Sequence, residues 1–232
     1  MSEALQARIA EVRRRVEDAC RRSGRAPDSV NIIAVTKYVS LERTKEAVDS
    51  GLIHVGENRW QDAKDKWEAI GAQGQGVWHF IGHLQTNKVK DVVGKFQYFH
   101  SLDRLSLAAE LQKKAARLDL IVPCFVQVNV SGEDTKYGLP PAELQSFLRE
   151  LNQLPNIEVI GLMTMAPHEE DPELTRPVFR ELRRLRDAAN AASVYRRAVP
   201  HLSMGMSNDF EIAIEEGATW IRLGSVLVGK DE

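Results

Sequence analysis

A (β/α)8 barrel of the TIM type, preceded by an extra N-terminal helix, is predicted by three observations on this chain of 232 residues. Eight short β-rich runs alternate with helical patterns; strands alternating with helices pair in parallel through crossovers, and eight such units are the number that closes a barrel. The run Ile121-Val-Pro-Cys-Phe-Val-Gln-Val128 is apolar on both faces, as a sheet covered by helices requires. No Ser/Gly linker, low-complexity segment or repeat interrupts the series, so residues 1–232 are assigned to one domain. An open doubly wound sheet is the competing topology, but the first strand-to-helix turn, Thr36-Lys-Tyr-Val-Ser40, lacks the dinucleotide glycine fingerprint.

The elements follow in order. Leu5, Ile9, Val12 and Val16 fall at helical spacing, and Gly24 followed by Pro27 stops that opening helix. Strands are expected at 31–36, 53–55, 77–81, 97–100, 121–130, 157–163, 198–203 and 219–223. Helices are expected at 41–50, 59–70, 86–94, 103–118, 140–152, 173–192 and 207–216. A formal net charge of -2 argues against a nucleic-acid or polybasic membrane surface, and the runs Arg13-Arg-Arg15 and Arg183-Arg184 read as solvated helix faces. Cys20 and Cys124 lack metal-ligand spacing and fit a reducing compartment. With no leader pattern and no apolar run of membrane-spanning length, the expected location is the cytoplasm.

In such a barrel the chemistry lies at the C-terminal strand ends, with a phosphate commonly held by the loops after strands seven and eight. Lys37 closes the first strand, Asn31-Ile-Ile-Ala-Val-Thr-Lys37. The two late loops are Ser203-Met-Gly-Met-Ser207, offering hydroxyls and a glycine backbone, and Gly224-Ser225. Asn208 and Glu211 have the spacing of a capping box for the helix after strand seven. An amine at one strand end and two anion-cradling loops suggest a site for a phosphorylated aldehyde. Arg222, between Ile221 and Leu223, points either out to solvent or into the barrel. Facing in, a guanidinium only donates; against a pyridine nitrogen it would hold that nitrogen unprotonated and weaken the ring as an electron sink.

Six stretches carry a resemblance: Ile33-Ala-Val-Thr-Lys37, His54-Val-Gly-Glu-Asn58, Trp78-His-Phe-Ile-Gly-His-Leu-Gln-Thr-Asn-Lys88, Gly161-Leu-Met-Thr-Met165, Leu202-Ser-Met-Gly-Met-Ser207 and Ile221-Arg-Leu-Gly-Ser225. Together, in this order and over almost the whole chain, they make it similar to the YggS/PROSC family of pyridoxal phosphate homeostasis proteins. The resemblance implies pyridoxal 5′-phosphate (PLP) held as an internal aldimine on Lys37, with its phosphate on the loops Ser203, Met204, Gly205 and Gly224, Ser225. It places Arg222 by the pyridine nitrogen, as in the alanine racemase barrel, which the family resembles. Asn58 either reaches the cofactor or caps the next helix, and His83 either stacks near the cofactor or bonds a neighbouring loop. Met163 and Met165 either touch the ring or fill the core. Lys136 lies in the loop Gly132-Glu-Asp-Thr-Lys-Tyr-Gly138 above the proposed site.

Racemases and decarboxylases on this barrel carry a further β-domain, and the sequence ends shortly after strand eight, at Gly229-Lys-Asp-Glu232. Inversion at an α-carbon needs an acid or base on each face, and the sequence offers Lys37 for one. The leading expectation is therefore a non-catalytic, monomeric PLP-binding protein that holds or delivers the cofactor, apo-forms of PLP enzymes being the recipients, and contributes to vitamin B6 and amino-acid balance. A PLP-dependent amino-acid enzyme and a lysine aldolase acting on a sugar phosphate are the alternatives. His54, His79 and His100 show no metal-ligand spacing, and no metal is expected.

Overall fold

Helix α1 (Glu3–Arg22) begins where the Ser2 hydroxyl accepts from the Leu5 amide, and it buries the stripe Leu5, Ile9, Val12 and Val16. It ends in a Schellman motif: the Gly24 amide donates to the Arg21 carbonyl and the Arg25 amide to the Cys20 carbonyl. Gly24 stands at φ 67°, the left-handed region that glycine enters without cost. The computed structural model describes residues 2–133 and 135–229; Met1, Asp134 and the expected chain end at 230–232 lie outside them.

The chain then alternates as expected. The strands are β1 (Asn31–Val35), β2 (His54–Glu57), β3 (Val77–Phe80), β4 (Tyr98–Leu102), β5 (Val122–Gln127), β6 (Ile157–Met163), β7 (His201–Ser203) and β8 (Trp220–Leu223). Between them run α2 (Leu41–Asp49), α3 (Trp60–Ala69), α4 (Val89–Val92), α5 (Leu105–Arg117), α6 (Leu144–Leu151), α7 (Arg176–Ala191) and α8 (Phe210–Glu215). All neighbouring strands pair in parallel, and β1 pairs with β8 to close the barrel. Among the described residues no helix is long and apolar enough to cross a membrane.

Differences from the sequence reading lie at element ends. Strand β5 is shorter than 121–130 because Ile121 is exposed and Val128 only bridges to Leu139. The helix expected at 86–94 is a 3-10 turn, Thr86–Lys88, running into the single turn of α4. The capping box is not formed. Asn208 donates to the Glu169 carbonyl, Asp209 takes the N-cap position of α8, and Glu211 pairs with Arg15 and Arg22 of α1.

Period-two alternation sorts the strand side chains into two environments. Ala34, Val55, Phe80, Cys124, Val126, Leu162 and Ile221 pack outward in the large core beneath the helices. Ile33, Phe125, Met163 and Trp220 form a separate cluster inside the barrel. The rest of the interior is polar, with His79, His100, Ser203 and Arg222 buried. Both strand environments are filled, so the barrel is a packed core, and a ligand approaches over the strand ends.

Candidate functional site

A cavity of about 760 Å³ opens at the C-terminal strand ends, lined by Lys37, Asn58, His83, Arg222, Gly224 and Ser225 among others. Six of the residues expected from the sequence are thus brought together around one space.

Lys37 owes its position to the residue before it. Thr36 is fully buried; its amide donates to Gly56 O at 3.0 Å and its carbonyl accepts from Lys66 Nζ at 2.6 Å. Glu57 Oε1 accepts from the Thr36 hydroxyl at 2.6 Å and from Lys66 Nζ at 3.0 Å, so a buried ion pair on β2 and α3 pins the end of β1. Burial raises the Glu57 carboxyl above its ordinary range, while the charge of Lys66 and the Thr36 bond pull it down. Beyond the pin, the half-buried Lys37 makes no hydrogen bond or ion pair with any described residue, and its Nζ stands 4.8 Å from the Tyr38 ring centre. No described side chain competes for the amine, which borders the cavity.

Opposite lie the two late loops. The Gly224 amide donates to Ser207 Oγ at 3.3 Å and ties them to each other. The Asp209 carboxylate accepts from the Met206 amide at 2.6 Å, bending the first loop, and the Gly224 carbonyl accepts from Leu227 and Val228 at 2.9 Å each, turning the second. Within these turns the amides of Ser207, Asn208, Ser225 and Val226 find no acceptor among the described residues. Four such donors on residues that line one cavity, with the Ser207 and Ser225 hydroxyls beside them, are suited to an anion with several oxygens.

Arg222 points inward and is 4% exposed. Its Nη1 donates to Ser203 Oγ at 2.7 Å and its Nη2 to the Thr164 carbonyl at 3.0 Å, which fixes the fork while the guanidinium still borders the cavity. Burial lowers its pKa to about 10, against the opposing charge of Asp209, so it stays a cation and a pure donor at neutral pH. His83 stacks on Tyr137, ring centres 4.0 Å apart and 17° between planes. Burial, then the charge of Arg104, holds the His83 imidazole below its ordinary range. The Asn58 side chain does not cap α3, whose N-cap is Arg59; its Oδ1 is buried at the cavity without a partner.

Four expected site residues lie elsewhere. Ser203 is fully buried inside the barrel with its hydroxyl held between Arg222 and His100, so Ser207 is the hydroxyl of this loop that faces the cavity. Met163 fills the barrel interior and Met204 the outer core, while Met165 does line the cavity. Gly205 is buried at φ 95°, where a Cβ would come within 2.6 Å of Ala213 Cβ; packing against α8 explains this glycine. Tyr137, His168 and Asp209 also line the cavity and were not singled out, because each sits in a loop whose direction no periodicity announces.

The matches to known proteins cover the whole of this architecture. The family model described as alanine racemase, N-terminal domain, matches residues 3–232. A pyridoxal phosphate homeostasis protein of Aquifex aeolicus is 46% identical over 223 residues, 96% of each chain. Its counterpart of the same name in Pseudomonas aeruginosa is 39% identical, spanning 95% of this chain and 93% of the relative. Among solved structures, PipY of Synechococcus elongatus with PLP bound shares 34% identity at a TM-score of 0.80, covering 93% of this chain and 100% of that one. Lys37, the two late loops and Arg222 stand on a barrel matched from end to end, and the chain belongs to the family of pyridoxal phosphate homeostasis proteins.

Proposed function

We propose that this chain, a single barrel domain, binds PLP covalently through Lys37 and holds or delivers it as a monomer in the cytoplasm, without efficient turnover of its own. The observation that carries the reading is that one cavity is lined by an unpaired amine, four loop residues whose amides have no acceptor among the described residues, and a pure-donor guanidinium. The residues fit the group. The amides of Ser207, Asn208, Ser225 and Val226 with the Ser207 and Ser225 hydroxyls would hold the phosphate, Lys37 would take the aldehyde, and Arg222 would donate to the ring nitrogen. When bound, PLP supplies an aldehyde and an electron-accepting ring. Arg222 limits the second property, because a donor that keeps its proton leaves the ring nitrogen unprotonated. The PLP-bound PipY relative supports cofactor binding, and the homeostasis role of the named relatives supports holding over turnover.

The absorption spectrum of purified protein mixed with PLP tests this reading, followed by borohydride reduction and peptide mapping. A band near ~420 nm that is absent in Lys37→Ala is the expected result. An adduct mapped to Lys45, Lys88 or Lys136 overturns the assignment. Transfer of cofactor to an added apo-enzyme, with amino-acid turnover far below the usual ~1–10³ per second, completes the expectation.

A second reading, a PLP enzyme of low activity toward amino acids, has one observation in its favour. Tyr137 and His168 line the same cavity, so proton-carrying groups there are not confined to Lys37. Slow racemisation or decarboxylation that is lost in Lys37→Ala would establish it.

A further inference from the structure

Three histidines from three strands join into one chain inside the barrel. His54 Nδ1 lies 3.0 Å from His79 Nε2, His79 Nδ1 lies 2.9 Å from His100 Nε2, and His100 Nδ1 lies 2.9 Å from Ser203 Oγ. Ser203 Oγ in turn accepts from Arg222 Nη1 at 2.7 Å. The chain thus runs from the first residue of β2, at the barrel floor, to the guanidinium bordering the cavity.

Its hydrogens have a determined direction. Arg222 can only donate and takes one of the two lone pairs of Ser203 Oγ; among the described residues His100 Nδ1 is the one acceptor within reach of the hydroxyl hydrogen, which therefore turns toward it. His100 then carries its hydrogen on Nε2 and gives it to His79 Nδ1; His79 does the same toward His54 Nδ1. In this arrangement every imidazole is neutral and of the Nε2–H form, and every bond points from Arg222 toward the floor. We propose that Ser203, His100 and His79 are positioning residues that form a one-way relay, which anchors Arg222 and couples its hold on a ligand to the protonation of His54.

The coupling follows from counting hydrogens. A proton added to His54 occupies Nδ1, the nitrogen that accepts from His79, and two hydrogens would then meet between the rings. To relieve this, His79 moves its hydrogen from Nε2 to Nδ1, and His100 must follow. One proton has entered, each inner ring still carries one hydrogen, and His54 carries two. Ser203 Oγ now accepts from both His100 and Arg222, and its own hydrogen has lost its acceptor. Arg222 then shares the Ser203 oxygen with a second donor, which weakens that bond, and gains a second cation in the same interior. The other ionisable groups packed on the relay are Tyr98 of β4, stacked on His79; His201 of β7, across Trp220; and Asp209, the charge facing Arg222. Burial first, and then neighbouring charges, hold His79 and His100 well below the ordinary imidazole range, which keeps the chain neutral at physiological pH.

The ligand part of this inference rests on the proposed role of Arg222 toward PLP, and the experiment separates the two. Nitrogen-15 NMR of the imidazoles and of the Arg222 guanidinium in protein free of PLP, titrated from pH 8 to pH 5.5, is compared with His54→Phe. Nε2–H forms at all three rings at pH 8, and an Arg222 signal that shifts with the histidine titration in wild type but not in the variant, are expected. An Nδ1–H form at His100, or an Arg222 signal indifferent to that titration, overturns the relay, and wild type alone decides both if the variant does not fold. PLP affinity is then measured at pH 8 and pH 6. The loss on acidification should be about fivefold larger in wild type than in His54→Phe, an effect of the size of one modest hydrogen bond. Equal losses with a moving Arg222 signal would leave the relay standing and remove Arg222 as the partner of the ring.

Discussion

Lys37 is placed by a neighbour it does not touch. The ammonium of Lys66 holds the carbonyl of Thr36 and the carboxylate of Glu57, and all three are removed from water. A buried pair of this kind adds little net stability, yet breaking it leaves a charge with no partner. Lys66→Met is therefore expected to destabilise the fold by about 3–5 kcal/mol in urea titrations, and Lys66→Met with Glu57→Gln to recover most of that loss. A single-variant cost below about 1 kcal/mol would mean that water reaches Glu57 after all. At the other side of the cavity, the contrast between Ser203 and Ser207 gives a second expectation. Ser207→Ala should weaken PLP by about 1–3 kcal/mol and leave unphosphorylated pyridoxal unaffected, since the lost contact is to the phosphate. Equal loss for both ligands would show that the Ser207 hydroxyl serves the loop and not the anion.

Among the elements, α1 shows how local chemistry specifies a boundary. Its end is fixed by Gly24, the one residue there that must enter the left-handed region, and its body by the stripe from Leu5 to Val16. Gly24→Ala should cost about 1–2 kcal/mol of unfolding free energy, measurable as a shifted urea midpoint with an unchanged slope. Signals of this kind, a stripe plus a stop, made most helices legible in the sequence, and parallel alternation with a two-faced β5 made the barrel legible. The loops were less so. Asn208 and Glu211 match a capping pattern, but the Asp209 carboxylate takes the Met206 amide and Glu211 finds two arginines on α1, about 190 residues away in sequence, so distant contacts override the local one. Ser203 reads as the phosphate hydroxyl of its loop, and the structure gives that place to Ser207, because the exact end of β7 decides which of the two points into the barrel. Lys37 and Gly224 were accessible because strand ends of a barrel converge whatever the loops do, whereas Arg222 reads either way along its strand and only the family resemblance turned it inward. The histidine relay was not, since contacts among His54, His79 and His100 depend on the stagger of three strands, which no single strand encodes.

For the molecule as a whole, the polar barrel interior sets the response to acid. His79 and His100 are held well below their ordinary range by burial, and His54, His83 and His201 are lowered by burial as well. In the unfolded chain these imidazoles bind protons as pH falls through ~6.5, while in the folded chain they resist. The unfolded state then holds more protons, and stability falls with pH by up to about 1.4 kcal/mol per pH unit for each histidine that stays neutral. Glu57 and Asp209, raised by burial, act in the opposite sense, because the folded state takes up their protons first. Two carboxyls against five imidazoles leave the histidines dominant between about pH 6.5 and pH 5, above the range where ordinary carboxylates titrate. Unfolding free energy from urea titrations should be level from pH 8 to pH 7 and decline by about 2–3 kcal/mol between pH 6 and pH 5, the contribution of His79 and His100 alone. A profile that stays flat down to pH 5 would show that the buried imidazoles accept protons inside the barrel as easily as in water, and would remove the physical basis for a neutral, directional chain beneath Arg222.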